Sequence, residues 1–214
     1  MRPAREALDH LLIGAPVLEQ GIDWLEEKTG VRAMVGGSHP GLGTWNALVS
    51  LGPEQYIEII APDPAQPAAD TFYVPGLRNF KAPRVTTWAA RGKDLAGGLL
   101  SSLSPGLVCE PARAGERVRP DGARLAWRLA FPRQRRYGVF DGALPFLIEW
   151  ESLSHHPGRS APAGLAFRDM RFRHPEPRDL QEALAALGID AVIAGAAAAS
   201  IEVELETPRG RVVL

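Results

Sequence analysis

Tyr56-Ile57-Glu58-Ile59-Ile60-Ala61-Pro62 sets one carboxylate in the middle of an otherwise apolar run. The run is short, rich in β-branched residues and closed by Pro62-Asp63-Pro64, which reads as a strand. Side chains alternate between the two faces of a strand. Ile57 and Ile59 therefore share one face, and Glu58 and Ile60 share the other. A charged carboxylate among branched apolar side chains is costly unless it is paired, protonated or bound to a metal.

Upstream, Ala7 to Ile13 is a second apolar run, interrupted by Asp9 and His10 and stopped by Gly14-Ala15-Pro16. It also reads as a strand, with Leu11 and Ile13 on one face and His10 and Leu12 on the other. Leu18, Ile22 and Leu25 recur at helical spacing before Gly30, which marks an amphipathic helix with a glycine cap. Val31 to Val35 is expected as a strand, 36–41 as a loop, and Trp45 to Leu51 as a strand turned by Gly52-Pro53. The order is β-α-β-β-β. If its first and last strands are neighbours, His10 and Glu58 lie across one strand spacing of about 4.8 Å.

The pattern begins again downstream. Arg84 to Ala90 reads as a strand and Lys93 to Leu103 as a helix. Cys109 to Ala114, Arg124 to Phe131 and Leu144 to Trp150 read as strands. Arg133-Gln134-Arg135-Arg136 reads as a charged, solvated turn. Aligning the repeats sets Thr87 against His10 and Glu149 against Glu58. A weaker third copy carries a helix at Arg178 to Leu187, with Asp169 or Arg171 and Arg211 or Val212 at the matching positions, and reads as structural. Repeats of one supersecondary unit are the main organisational signal. The expected modules are 1–65, 83–152 and a degenerate 164–214.

The chain has 214 residues, 45% of them hydrophobic and 23% charged, with a formal net charge of −1. That balance gives no basis for binding nucleic acid or an anionic membrane. Cys109 is the single cysteine, so no intrachain disulfide forms, and the thiol reads as inert core in a reducing cytoplasm. The N-terminus lacks the apolar core of a signal peptide, and no run reaches the length of a membrane span.

Ala7-Leu8-Asp9-His10-Leu11-Leu12-Ile13, His39-Pro40-Gly41-Leu42-Gly43-Thr44, Tyr56 to Pro64 and Pro145-Phe146-Leu147-Ile148-Glu149-Trp150 together resemble the glyoxalase-like domain of the vicinal-oxygen-chelate superfamily. The resemblance implies an α+β fold, with repeated βαβββ modules forming an open U-shaped mixed sheet with covering helices. It implies a divalent metal (zinc, manganese, nickel or iron) on His10, Glu58 and Glu149, with Thr87 standing where a histidine is common. Glu58 or Glu149 would move a proton. Without a metal, two nearby carboxylates would raise the pKa of one of them, which itself makes a general base.

His39, Trp45, Asn46, Thr87, Trp88 and His156 are the candidate lining of a substrate pocket. Trp45 and Asn46 point to opposite faces of their strand. His174 reads as a surface or capping residue. The expected function is a metal-assisted isomerase or lyase acting on a small organic substrate, in a cytoplasmic homodimer. The alternatives are metal-free binding or sequestration of a small molecule, as in bleomycin-resistance-like proteins, and a degenerate structural member.

Overall fold

The computed structural model describes residues 1–67, 74, 76–95, 108–109, 111–118, 122, 124–133 and 139–214. Most of the expected 93–103 helix and residues 134–136 of the charged turn lie outside them. The fold is α+β, with many strands, few helices and sheets that mix parallel and antiparallel neighbours. Two compact units are present, each assembled from separated stretches. One holds Met1–Asp9, Trp88–His156 and Met170–Ile201, and the other holds His10–Thr87, Pro157–Asp169 and Glu202–Leu214.

In the unit containing His10–Thr87, the β-α-β-β-β order appears as Leu8–Gly14, Leu18–Thr29, Met34–His39, Thr44–Gly52 and Gln55–Pro62. The 44–52 strand pairs antiparallel with 34–39 on one side and 55–62 on the other. The 55–62 strand then pairs in parallel with 8–14. Leu18, Ile22 and Leu25 are the buried stripe of the helix, as their spacing requires, and Gly30 closes it at φ 79°. The helix packs on the face of Ile57 and Ile59. A Cβ built at Gly21 would stand 2.5 Å from Ile59 Cγ2, so only glycine permits this approach. His10, Leu12, Glu58 and Ile60 occupy the opposite face, as alternation demands.

Two of the differences from the expected boundaries have a local cause. The second strand starts at Met34 rather than Val31 and runs through Gly36 and Gly37 to His39. Thr29 Oγ1 bonds the Leu25 carbonyl at 2.7 Å and receives the Val31 N–H at 3.2 Å, which holds the chain in a turn just past the helix. In the second repeat, Pro111 has no N–H to offer a ladder and divides the expected strand. Val108–Cys109 pairs with Pro132–Arg133, while Arg113–Val118 pairs with Arg124–Ala130.

In the other unit, Phe146–Trp150 lies between the 84–91 strand, to which it is parallel, and the antiparallel 124–130 strand, which in turn pairs with 113–118. The order second, third, last, first thus recurs in both repeats. Trp88 is fully buried in this unit, its indole N–H donating to the Ala143 carbonyl at 2.8 Å and its ring 5.8 Å from Phe172. Burial pushes the Cys109 thiol up to about 11, which keeps it protonated and unreactive.

Candidate functional site

The site is built on the polar face of the 8–14 and 55–62 strands. Their parallel register sets His10 opposite Tyr56 and Leu12 opposite Glu58. The imidazole and carboxylate meet on the diagonal, with His10 Nε2 3.4 Å from Glu58 Oε2. Tyr56 stacks on His10 with ring centroids 4.5 Å apart and planes 21° from parallel, which fixes the imidazole's tilt. His10 is 2% exposed and Glu58 is 8% exposed. A carboxylate so poorly solvated depends on its polar partners for its charge.

His39 is a second imidazole at this carboxylate, and a one-residue bulge brings it there. Val35 pairs with Ala47, but Gly37 pairs with Asn46, so Gly36 is an extra residue in the ladder. A one-residue insertion exchanges the faces of every later side chain. Gly37, at φ 138°, takes a backbone shape that other residues rarely adopt. Beyond the bulge His39 pairs with Thr44 on the face shared by Asn46 and Glu58. His39 Nε2 lies 3.7 Å from Glu58 Oε1.

Asn46 joins the two groups. Its Nδ2 donates to Glu58 Oε1 at 2.7 Å and lies 3.1 Å from His39 Nε2. An amide NH2 can only donate, so His39 Nε2 is the acceptor and the ring proton sits on Nδ1, 2.9 Å from Thr44 Oγ1. Turning the amide over would press its oxygen against the carboxylate. Asn46 Oδ1 therefore faces away from Glu58, buried and without a hydrogen-bond partner. An acceptor left in that state costs about 1–3 kcal/mol and marks a place where a ligand's donor group would be received.

The hairpin carrying His39 is clasped from the end of the 55–62 strand. Asp63 Oδ2 accepts from the Ser38 hydroxyl and, at 2.8 Å, from Gln66 Nε2. Gln66 Nε2 also donates to the His39 carbonyl at 3.1 Å, and Gln66 Oε1 accepts the Gly41 N–H at 2.7 Å. The Ser38 bond, then the Gln66 bond, hold the Asp63 carboxyl below its ordinary range, with the nearby His39 adding to the shift. Asp63 and Gln66 escaped the sequence reading because their run, Asp63-Pro64-Ala65-Gln66, looks like an ordinary strand-ending turn.

The other candidates fall elsewhere. Glu149 belongs to the other unit, where its carboxylate accepts the backbone N–H groups of Asp94 at 2.7 Å and Leu95 at 3.0 Å. The register of that repeat pairs Ala90 with Leu147. Ala90, not Thr87, thus stands to Glu149 as His10 stands to Glu58, and Thr87 is half-buried earlier on the strand. Trp45 lies on the same face as Ala47 and Ala61, away from Asn46. Trp88 is in the core described above. His156 is fully buried, its Nε2 3.3 Å from Asp9 Oδ2, an oxygen that also accepts the Trp150 indole N–H at 3.1 Å. His174, expected as a surface or capping residue, is 4% exposed rather than at the surface, and its Nδ1 accepts the Glu176 N–H at 2.9 Å at the start of the Pro177–Ala186 helix.

Two imidazoles and a carboxylate are the donor types of many transition-metal sites. Here, however, His10 and His39 address opposite oxygens of Glu58, and Glu149 is committed to backbone donors. Among the described residues, no group of three His, Cys, Asp or Glu side chains is arranged to hold a metal ion. As they stand, the donors do not fit the expected ion.

The crystal structure of a hypothetical protein from Staphylococcus aureus is similar in fold, with a TM-score of 0.65 and 14% identity over 90% of this chain and 87% of that one. Weaker similarity links the chain to methylmalonyl-CoA epimerase from Mycobacterium tuberculosis, with a TM-score of 0.44 and 21% identity over 67% of this chain and 87% of that one. A Streptomyces coelicolor methylmalonyl-CoA epimerase variant in complex with 2-nitronate-propionyl-CoA gives a TM-score of 0.47 and 15% identity over 69% and 96% of the two chains. No curated protein matches the sequence. A family model described as a glyoxalase-like domain matches residues 8–188, most of the chain and both repeats. The resemblance carried by the His10 and Glu58 strands is thus borne out, and the chain belongs to the glyoxalase-like domain family.

Proposed function

We propose that this chain is an acid–base enzyme of the isomerase or lyase type, acting on a small organic molecule, with Glu58 as the group that takes up and returns a proton. The observation that carries this is the carboxylate itself. It is nearly buried, yet held by the Asn46 amide at one oxygen and close to His10 at the other. Its hydrogen bonds fix where its lone pairs point, which sets the geometry of proton transfer. Glu58 would remove a proton from a carbon next to a carbonyl, hold it as the carboxylic acid and return it to the same or another position. His10 would steady the carboxylate and Asn46 would orient it.

The acid–base cycle of Glu58 is complete without the divalent ion that the family implies. The enzyme would act as a cytoplasmic homodimer. A second reading, binding or sequestration without turnover, is favoured by the unpartnered acceptor Asn46 Oδ1, which would receive a ligand's donor group whether or not chemistry follows.

The test is proton exchange. The full chain is incubated in D2O with a panel of small 2-oxo, 2-hydroxy and acyl-thioester compounds, and C–H to C–D exchange is followed by NMR. Exchange with at least one compound, slowed about 100-fold or more in Glu58→Gln, is the expected result. Binding to a panel compound without exchange would move the assignment to sequestration. Elemental analysis of the wild-type, His10→Ala and Glu149→Ala chains decides the metal. Near-stoichiometric metal lost in both variants would overturn the metal-free form of this mechanism.

A further inference from the structure

The same hairpin that delivers His39 is tied down by Asp63 and Gln66, whose side-chain bonds go to the hairpin and not to the Glu58 carboxylate. Asp63 and Gln66 together engage Ser38, His39 and Gly41 through side-chain bonds, and the Asp63 N–H adds a bond to the Gly43 carbonyl at 2.9 Å. These contacts span nearly the whole tip, although a hairpin of this length needs no such bracing to close. What they fix is the distance from His39 Nε2 to Glu58 Oε1, 3.7 Å, with Asn46 as the common donor.

We propose that Asp63 and Gln66 are positioning residues of the Glu58 centre, acting through the 38–43 hairpin to hold His39 as the neutral tautomer protonated on Nδ1. The meaning of this arrangement rests on the proton-transfer role of Glu58 given above. With the ring proton on Nδ1 and donated to Thr44, the Nε2 lone pair is turned toward Asn46 and the carboxylate. That lone pair accepts the Asn46 N–H, so His39 holds the same amide that donates to Glu58 Oε1. The clasp thus fixes the direction of the hydrogen bonds that orient the base.

The experiment is 15N imidazole NMR on the full chain at neutral pH, for wild type, Asp63→Asn, Gln66→Ala and Ser38→Ala. His39 is assigned from His39→Gln. In wild type at neutral pH His39 is expected as the Nδ1–H tautomer. Asp63→Asn, which keeps the shape but weakens the acceptor that ties Ser38 and Gln66, and Gln66→Ala are both expected to mix the tautomers. Ser38→Ala removes two bonds of the clasp, the one given to Asp63 and the one received from Gln66, by a small truncation and is expected to change the tautomer in the same direction. An Nε2–H tautomer in wild type, or an unchanged tautomer in the folded variants, would overturn the proposal. These signals do not depend on turnover. If they behave as expected while no compound exchanges protons, the enzymatic reading fails and the positioning of His39 stands.

Discussion

His10 Nε2 and Glu58 Oε2 lie 3.4 Å apart although the two residues are not register partners, since His10 faces Tyr56 and Glu58 faces Leu12. The contact is diagonal across two parallel strands, and the Tyr56 ring holds the imidazole in position for it. Side chains of this length reach a diagonal neighbour on the same face.

That geometry predicts energetic coupling. A double-mutant cycle of His10→Ala and Glu58→Gln, read by urea unfolding, is expected to give an interaction energy of about 0.5–3 kcal/mol. Additive losses would mean that the two side chains are neighbours without being partners.

The bulge at Gly36 predicts a change of face. Deleting Gly36 restores a regular ladder and carries His39 to the opposite side of the sheet. In the wild type, Glu58→Gln should move the His39 imidazole resonances. In the deletion chain the same substitution should leave them still. Persistence of the effect would show that the hairpin reaches Glu58 by another route.

The clasp predicts sensitivity to acid. The folded pKa of Asp63 is lowered, so its contribution to stability is complete above the unfolded carboxylate value of about 3.9 and is lost as pH falls through the lower folded value. Between about pH 5 and pH 2, wild type should therefore lose more stability than Asp63→Asn. Urea midpoints measured across that range check it, and parallel curves for the two chains would contradict it.

The buried Asp9 carboxylate predicts a structural cost away from the site. It accepts from the Trp150 indole and lies 3.3 Å from His156 Nε2. Asp9→Ala removes that acceptor from a buried imidazole and a half-buried indole at once and should cost about 1–3 kcal/mol in urea unfolding, with little effect on the His39 spectrum. A cost within experimental error would place the hydrogen bonds of Trp150 and His156 elsewhere.

Tight packing at Gly21 predicts an overpacked helix. Gly21→Ala gains helix propensity but drives a methyl into Ile59 and should be destabilising by about 1–3 kcal/mol. In an Ile59→Ala background the cost of the same change should shrink, with the Ala15 Cβ, 2.9 Å from the added methyl, leaving part of it, and thermal unfolding of the four chains would show this.

Much of this was legible in the residues themselves. Alternation in Leu8 to Ile13 and in Tyr56 to Ile60 is local, and it assigned His10 and Glu58 to one face because a strand has no other way to dispose of successive side chains. The helix stripe of Leu18, Ile22 and Leu25 and the Gly30 cap follow from spacing in the same way. Tertiary structure alone decided the rest. The face of His39 depended on whether Gly36 lies in a loop or in a ladder, a question of pairing with Ala47 and Asn46 that no periodicity inside 34–39 answers. Glu149 matched Glu58 in its local pattern but met the N–H groups of Asp94 and Leu95, because the pairing of Ala90 with Leu147 sets a register that the sequence match between the repeats did not respect. Asp63 and Gln66 acquired their role only when the chain brought Ser38 back beside them, since a hydrogen bond between residues 25 apart leaves no trace in either neighbourhood.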